Sequence, residues 1–285
     1  MRRTIARLAA HEDLNFLLTN RLPRRLATSF VGWFGRIEHP WIARPTIAVW
    51  RLFSDVDLTD AREARYPSMH ACFTRRLRVG ARAINADPAV LVSPCDAIVG
   101  ACGPIEGDDG VHQIKGAPYR LGDLLGSPLA AAPFRGGSFV TLRLTAGMYH
   151  RFHAPADLGV EQVTYRAGDC WNVNPIALKR VERLFCKNER AAIACRLPNG
   201  APVMLVAVAA VLVASIRFTF GGLESGIRAG GTRTLPIDAA FGKGDEMGWF
   251  EQGSTIVVLL PPGFALVVGT DQRLRMGQPL ARVAE

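Results

Sequence analysis

Residues 253–260 read Gly-Ser-Thr-Ile-Val-Val-Leu-Leu, a polar start followed by five aliphatic side chains. A short apolar run rich in β-branched residues is typical of a buried strand. Similar β-prone segments recur along the second part of the chain, separated by turns that contain glycine or proline. These segments lie at residues 90–93, 139–144, 159–165, 203–216 and 264–268. The spacing predicts a β-rich, largely antiparallel domain, interrupted by one helix that starts at Pro175 and ends near residue 188.

The first 75 residues show a different pattern. Between residues 24 and 37 the apolar side chains recur at the spacing of a helix, and His39-Pro40 ends that pattern. A second apolar stretch, residues 47–53, precedes a polar loop. The predicted fold class is therefore α+β, with an N-terminal helical segment over residues 1–75 and a β-rich domain over residues 76–285.

The chain carries a net charge of +9, and the excess is concentrated near its N-terminus. Residues 1–44 contain eight arginines against three acidic residues, an excess of +5, and Trp33, Trp41 and Trp50 lie in the same region. A basic helix with aromatic side chains on its apolar face is typical of a helix in a membrane interface. The alternative is an ordinary helix packed on its own domain. The longest apolar run, residues 203–216, is shorter than the ~20 residues that cross a bilayer, so no transmembrane helix is predicted.

Three short motifs carry groups that can do chemistry. Asp96 lies in a turn after a β-prone segment, and His150 and His153 lie just before a proline. Ser254 follows Gly253 at the start of an apolar strand. Together these motifs supply an acid, a base and a hydroxyl, which is the composition of a Ser-His-Asp unit. Two histidines without a third ligand, and six cysteines without a zinc-type spacing, predict no metal site.

These three motifs occur along the chain together with further short motifs, in a definite order. The segments are Phe73-Thr74-Arg75, Gly80-Ala81-Arg82, Ser93-Pro94-Cys95-Asp96, Lys115-Gly116 with Tyr119 and Leu121, Tyr149-His150-Arg151-Phe152-His153, Asn172-Val173-Asn174-Pro175, Asn188-Glu189-Arg190, and Lys243-Gly244-Asp245-Glu246-Met247-Gly248 leading into Gly253-Ser254-Thr255. In this order and spacing, residues 66–263 resemble the bacterial phosphatidylserine decarboxylase proenzymes. The chain departs from the family's pattern at Gln252, where leucine is usual, at Ala83, where proline is common, and at Cys72, where phenylalanine is usual.

The resemblance implies a precursor that cuts its own Gly253–Ser254 bond. The products are a large chain, residues 1–253, and a small chain, residues 254–285. Ser254 then becomes a covalent pyruvoyl group, the expected cofactor, whose carbonyl takes up electrons as CO2 leaves the substrate. The expected reaction is the decarboxylation of phosphatidylserine to phosphatidylethanolamine.

The resemblance also assigns roles to the candidate site residues. His153, oriented by Asp96, is expected to take the proton of Ser254 so that its hydroxyl can attack the preceding carbonyl. His150 is expected to return a proton to the substrate after CO2 leaves. Residues 76–285 are therefore expected to form the catalytic domain.

The expected partners are phosphatidylserine, an anionic membrane surface and the two chains of the same precursor, with a homodimer as a further expectation. The basic, aromatic N-terminal segment predicts a peripheral protein on the cytoplasmic side of the cell membrane. No nucleic-acid partner is predicted, because the basic excess lies beside aromatic residues in a helical pattern and no recognised nucleic-acid module is present.

Two other functions stay open at this point. A serine hydrolase would use Asp96, His153 and Ser254 without self-cleavage, although no Gly-x-Ser-x-Gly motif surrounds the serine. A membrane-binding module that has lost its processing would bind lipid without turnover. The number of chains in the denatured protein separates the hydrolase from the decarboxylase, because only the decarboxylase is cut.

Overall fold

A central antiparallel sheet of eight strands organises the molecule. The computed structural model describes residues 12–17, 24–107, 110–112, 118–210, 216–224, 226–227, 231–251 and 254–284. In spatial order the strands of the sheet are β11 (Arg233–Phe241), β7 (Leu158–Arg166), β8 (Arg190–Arg196), β9 (Pro202–Ala209), β13 (Ser254–Leu260), β5 (Ser138–Leu144), β2 (Ala97–Pro104) and β15 (Arg273–Leu274). Each strand is antiparallel to its neighbours, and with the N-terminal helices this makes the fold α+β, as predicted.

Strand β13 lies in the interior of this sheet and begins at Ser254. It pairs with β9 on one side and with β5 on the other, and all seven of its residues are buried. An interior strand with both faces covered has no solvent-facing positions, which explains its nearly continuous apolar sequence. The predicted strand at residues 254–260 is confirmed. The predicted run at residues 203–216 forms β9 and then ends, and residues 211–215 lie outside the described chain.

Smaller sheets cover the central one. They are β1 (Val90–Val92) with β16 (Pro279–Val283) and β14 (Phe264–Leu266); β10 (Ile216–Phe218) with β12 (Glu246–Phe250) and β6 (Arg151–His153); and the pair β3 (Gly110–His112) and β4 (Pro118–Arg120). Phe152, Phe218 and Phe250 pack together on one face of the central sheet and belong to its core. Burial of such aromatic side chains is the main favourable term in holding these layers together.

Helices cover the opposite face and form the N-terminal region. They are α1 (Glu12–Phe16), α2 (Arg24–Gly35), α3 (Pro40–Phe53), α4 (Met69–Phe73), α5 (Leu121–Leu125), α6 (Pro128–Ala131), α7 (Pro175–Arg180) and α8 (Leu184–Lys187), with a 3₁₀ turn at Ala132–Phe134. The break between α2 and α3 falls where His39-Pro40 predicted it. None of the helices in the described parts of the chain is long and apolar enough to cross a bilayer.

The single helix predicted from residue 175 to 188 is wrong. Two short helices, α7 and α8, occupy this stretch, because Val181 turns extended and Arg183 adopts a left-handed conformation with φ 50°. Both apolar pairs lie in the same core: Ala177 with Leu178, and Leu184 with Phe185.

The N-terminal helices contact the β-rich part at defined points. At the end of α2, Arg36 forms an ion pair with Glu251 (Nη2–Oε2, 2.7 Å), just after β12. Arg151 on β6 donates hydrogen bonds to the carbonyl oxygens of Thr74 and Arg75. Contacts therefore cross the predicted boundary at residue 75, and the division into residues 1–75 and 76–285 stays a prediction.

Candidate active site

Ser254 places a buried hydroxyl at the first position of β13. Its backbone pairs with Leu144 on β5 and with Ala209 on β9. The side chain is fully buried, and its Oγ has no hydrogen-bond partner among the described residues. A buried hydroxyl without a partner costs about 1–3 kcal/mol, so such a group calls for a functional reason. Gln252 and Gly253, the other side of the predicted scissile bond, lie outside the described residues.

A cavity of about 420 Å³ opens beside Ser254. Its walls come from the sheet end and from the N-terminal helices, and most of them are apolar. The described residues that line it are Val31, Trp50, Met69, His70, Phe73, Arg143, Leu144, Thr145, Ala146, Asn172, Val173, Asn174, Ala210 and Ser254. A concave, mostly apolar space of this size with a few polar groups is typical of a small-molecule or headgroup site.

His150 is fully buried behind one wall of this cavity. The centroid of its ring lies 4.0 Å from the ring centroid of Phe73, and Phe73 lines the cavity. Nδ1 lies 2.9 Å from the carbonyl oxygen of Met148, so this nitrogen carries the hydrogen and donates it. Burial lowers the pKa of His150 to about 3. The imidazole is therefore neutral at pH 7, and its Nε2 lone pair has no partner among the described residues.

His153 is also buried, but both of its ring nitrogens are hydrogen-bonded. Nδ1 donates to the carbonyl oxygen of Gly244 (2.8 Å), and Nε2 accepts from the hydroxyl of Tyr149 (3.0 Å). Burial is the main cause that lowers the pKa of His153, while the Gly244 carbonyl and the charge of Asp96 oppose the shift. This histidine is therefore also held in its neutral form.

Asp96 is held by an arginine. Arg82 donates from Nε to Oδ1 (2.9 Å) and from Nη2 to Oδ2 (2.5 Å), and the backbone N–H of Met276 donates to Oδ1 (2.9 Å). Arg82 also binds Asp60 at 2.8 Å. Burial opposes the charged guanidinium, but the bonds and charges of Asp96 and Asp60 outweigh it and raise the pKa of Arg82.

The described hydrogen bonds do not include the expected pair between Asp96 and His153. Asp96 lines a polar cavity of about 480 Å³, distinct from the one beside Ser254, and Tyr149 lines the same polar cavity. Tyr149 therefore bonds His153 and lines the same cavity as Asp96, without a described hydrogen bond to the aspartate. The sequence indicated Arg82 and Tyr149 only as parts of motifs, because nothing local shows which side chain each one meets. The roles of Asp96, His153 and His150 stay predictions.

Arg151, between the two histidines, anchors the start of β6, the strand that ends at His153. Its guanidinium forms an ion pair with Glu246 on β12 and donates to the carbonyl oxygens of Thr74 and Arg75. It also lies 5.0 Å from the ring of Trp249. Several acceptors bind the planar guanidinium of Arg151 at once, so this buried side chain has a fixed position.

Lys243 anchors the turn that supplies the Gly244 carbonyl. Its ammonium donates to the carbonyl oxygens of Asn85, Asp87 and Val90. Gly244 itself has φ +89°, a conformation that favours glycine. The motif around residue 243 therefore fixes the acceptor of His153 Nδ1.

A buried serine hydroxyl that bonds no described residue, at the edge of a largely apolar cavity, and two buried neutral histidines are features of a candidate enzyme site on an antiparallel sheet. The model of the phosphatidylserine decarboxylase family matches residues 69–282, and the chain belongs to this family. It is 38% identical over 279 residues to the phosphatidylserine decarboxylase proenzyme of Xanthomonas euvesicatoria, covering 93% of this chain and 97% of that protein. It is 36% identical over 286 residues to the protein of the same name from Sodalis glossinidius, covering 95% of this chain and 96% of the other.

Proposed function

We propose that this chain decarboxylates phosphatidylserine to phosphatidylethanolamine through a pyruvoyl group made from Ser254 by cleavage of the Gly253–Ser254 bond. The observation that carries the proposal is the buried, unpartnered Ser254 hydroxyl beside an apolar cavity, in a chain of this family. A hydroxyl that bonds no described neighbour is available to attack the carbonyl that precedes it. Membership of a family whose relatives are named proenzymes favours that attack over hydrolysis of another molecule.

Cleavage needs a base for the serine proton. A neutral imidazole is the form that accepts a proton, and burial keeps both His150 and His153 neutral at pH 7. We assign the base role to His153, with Asp96 acting on it through its charge. His150, whose Nε2 bonds no described residue, is the alternative base, and the variants of the two histidines decide between them.

The cavity suits the later chemistry. The pyruvoyl group, once formed, supplies a carbonyl that takes up the electron pair released as CO2 leaves. The apolar walls of Phe73, Leu144 and Val173 exclude water from the carboxylate of the substrate. His150, behind Phe73, is the group assigned to take up at Nε2 a proton released by the substrate amine and to return it to the carbon that loses CO2.

The sheet would hold the two chains together after the cut. Strand β13 keeps its hydrogen bonds to β5 and β9, and both of these strands belong to the large chain. Downstream, β16 pairs with β1 and β15 pairs with β2. The small chain, residues 254–285, would therefore stay bound to the large chain, residues 1–253, without the peptide bond.

The proposal is tested on the purified wild-type protein. We expect two chains under denaturing conditions, the smaller with a blocked N-terminus, and release of CO2 and phosphatidylethanolamine from phosphatidylserine vesicles. A carbonyl reagent such as phenylhydrazine should abolish CO2 release. A single uncut chain that still releases CO2 would contradict the pyruvoyl mechanism, and an uncut chain that hydrolyses esters would support the serine hydrolase.

We also infer that the protein is peripheral, held at the cytoplasmic face of the cell membrane by α2 and α3. The rings of Phe30, Trp33 and Trp41 are 61%, 64% and 84% exposed. On the same helices, Val31 and Trp50 line the Ser254 cavity. Helices that carry exposed aromatic residues and also wall the cavity would place its opening near the lipid surface.

Membrane binding is expected to have a salt-resistant part that depends on these rings. Replacing Phe30 and Trp33 by serine should weaken vesicle binding at high salt by about 10- to 100-fold per ring, because apolar burial persists when salt screens the arginines. Co-sedimentation with anionic vesicles at low and high salt measures this.

The matched control for the vesicle assay is Leu129→Ser, since Leu129 is 85% exposed on α6. It should bind vesicles as the wild type does. If the control loses binding while the variant of Phe30 and Trp33 keeps it, the membrane surface lies near α6 and the assignment to α2 and α3 is wrong.

A further inference from the structure

Arg143 brings a positive charge to the Ser254 cavity. It lies on β5, where its backbone pairs with Thr255 on β13, and the next residue, Leu144, pairs with Ser254. Its side chain is half-buried and lines the cavity. No acidic side chain is among the described residues that line this cavity. Burial is the main cause that lowers the pKa of Arg143, and Asp271 opposes the shift through its charge without an ion-pair contact.

Other arginines in buried or half-buried positions have acceptors within the protein. Some meet carboxylates and others meet backbone carbonyls. These arginines and their acceptors are Arg82 with Asp60 and Asp96, Arg151 with Glu246, Arg217 with Glu251, Arg75 with Gly147, Arg166 with Gly126, Arg233 with Ile227, and Arg190 with Asp123 and Leu124. In the described part of the chain, Arg143 has no such contact. A half-buried cation in an apolar cavity without a protein partner is suited to an anionic ligand.

We propose that Arg143 binds the phosphodiester group of the lipid substrate and so selects phospholipid amines over amines without a phosphate. The proposal rests on the proposed decarboxylation at Ser254. A short linker joins the amine of the serine headgroup to its phosphodiester. Arg143 lines the same cavity as Ser254, so an amine that reacts at residue 254 leaves its phosphate in a space that Arg143 borders.

The substrate carries a second anion, the carboxylate. The chemistry of decarboxylation argues against binding of Arg143 to this carboxylate. The carboxylate charge moves away as CO2 leaves, so a guanidinium bound to it would stabilise the ground state more than the transition state. The phosphodiester keeps its charge throughout the reaction. A guanidinium on the phosphate therefore strengthens binding of substrate, transition state and product alike, and it can do so with two parallel hydrogen bonds.

Inhibition by the product distinguishes binding of Arg143 to the phosphate from binding to the carboxylate. Phosphatidylethanolamine keeps the phosphate and has lost the carboxylate. We expect Arg143→Met to raise KM for short-chain phosphatidylserine by about 10- to 100-fold. It should raise the inhibition constant of short-chain phosphatidylethanolamine by a similar factor, while kcat falls far less than kcat/KM. A rise in KM with an unchanged inhibition constant would assign Arg143 to the carboxylate and overturn the proposal. No change in either constant would also overturn it.

Two further variants complete the test. Arg143→Lys keeps the charge but loses the planar guanidinium, so KM and the inhibition constant should rise less than in Arg143→Met. If the methionine variant does not fold, the lysine variant alone must raise KM and the inhibition constant. Arg196→Met is the matched control, because it removes the same charge from an exposed pair with Glu161 and should leave both constants unchanged. Wild-type protein that releases no CO2 would contradict the proposed function. Active wild-type protein with unaffected Arg143 variants would contradict only the phosphate assignment.

Discussion

Replacing Ser254 by alanine is expected to leave one uncut chain of 285 residues without decarboxylase activity. Ser254 is expected to supply both the attacking oxygen and the atoms of the later carbonyl, so alanine removes the cut and the cofactor together. The fold should persist, because alanine fits the buried first position of β13 and removes a hydroxyl that bonds no described residue. Intact mass under denaturing conditions and CO2 release measure the two effects.

Thr255 offers a matched control for this experiment. It is the next residue of β13, it is fully buried, and its Oγ1 also lacks a partner among the described residues. Thr255→Val removes that hydroxyl at nearly constant shape and should still give two chains. If Ser254→Ala is cut as the wild type is, or if Thr255→Val alone blocks the cut, then Ser254 is not the nucleophile.

The second large effect is expected at the two histidines, in different steps. His153→Ala should slow self-cleavage by about 10²- to 10⁴-fold, the usual contribution of a general base. His150→Ala should cleave at least in part and lose CO2 release by a similar factor. The ratio of cut to uncut chains over time, beside CO2 release from the cut protein, separates the two roles. Cleavage blocked in His150→Ala and retained in His153→Ala would reverse the assignment.

The pH dependence of cleavage gives an independent check on the base. Burial lowers the pKa of His153, so its neutral, proton-accepting form persists below the ordinary value of 6.5. The cleavage rate should therefore stay level as the pH falls through 6.5 and decline only at more acidic pH. A rate that halves at pH 6.5 would indicate a base with an ordinary pKa.

Asp96→Asn belongs to the same series. It removes the charge that favours a protonated His153, and it weakens the two hydrogen bonds from Arg82. Cleavage should be slower than in wild type. Arg82→Met should have a similar effect if the position of Asp96 matters, and it should have none if only the aspartate charge matters.

The local sequence predicted those elements in which one pattern dominates. Strand β13 is apolar from Ile256 to Leu260, and the helix break at residue 40 follows from its proline. Strand β11 was not predicted, because Arg-Thr-Leu-Pro-Ile-Asp-Ala-Ala-Phe contains a proline and two charged residues. The structure places this strand at an edge of the sheet, where a proline is tolerated because one side of an edge strand makes no ladder hydrogen bonds.

The sequence by itself indicated the candidate site residues Asp96, His150, His153 and Ser254, and their roles stay predictions. Only the tertiary structure decided what each one meets. Arg82 holds Asp96, Tyr149 bonds His153, and three N-terminal helices line the Ser254 cavity. Periodicity reports only which face of an element is apolar. The partner of a buried polar group depends on which distant segments the packed core brings together, because most of these partners lie far away along the chain.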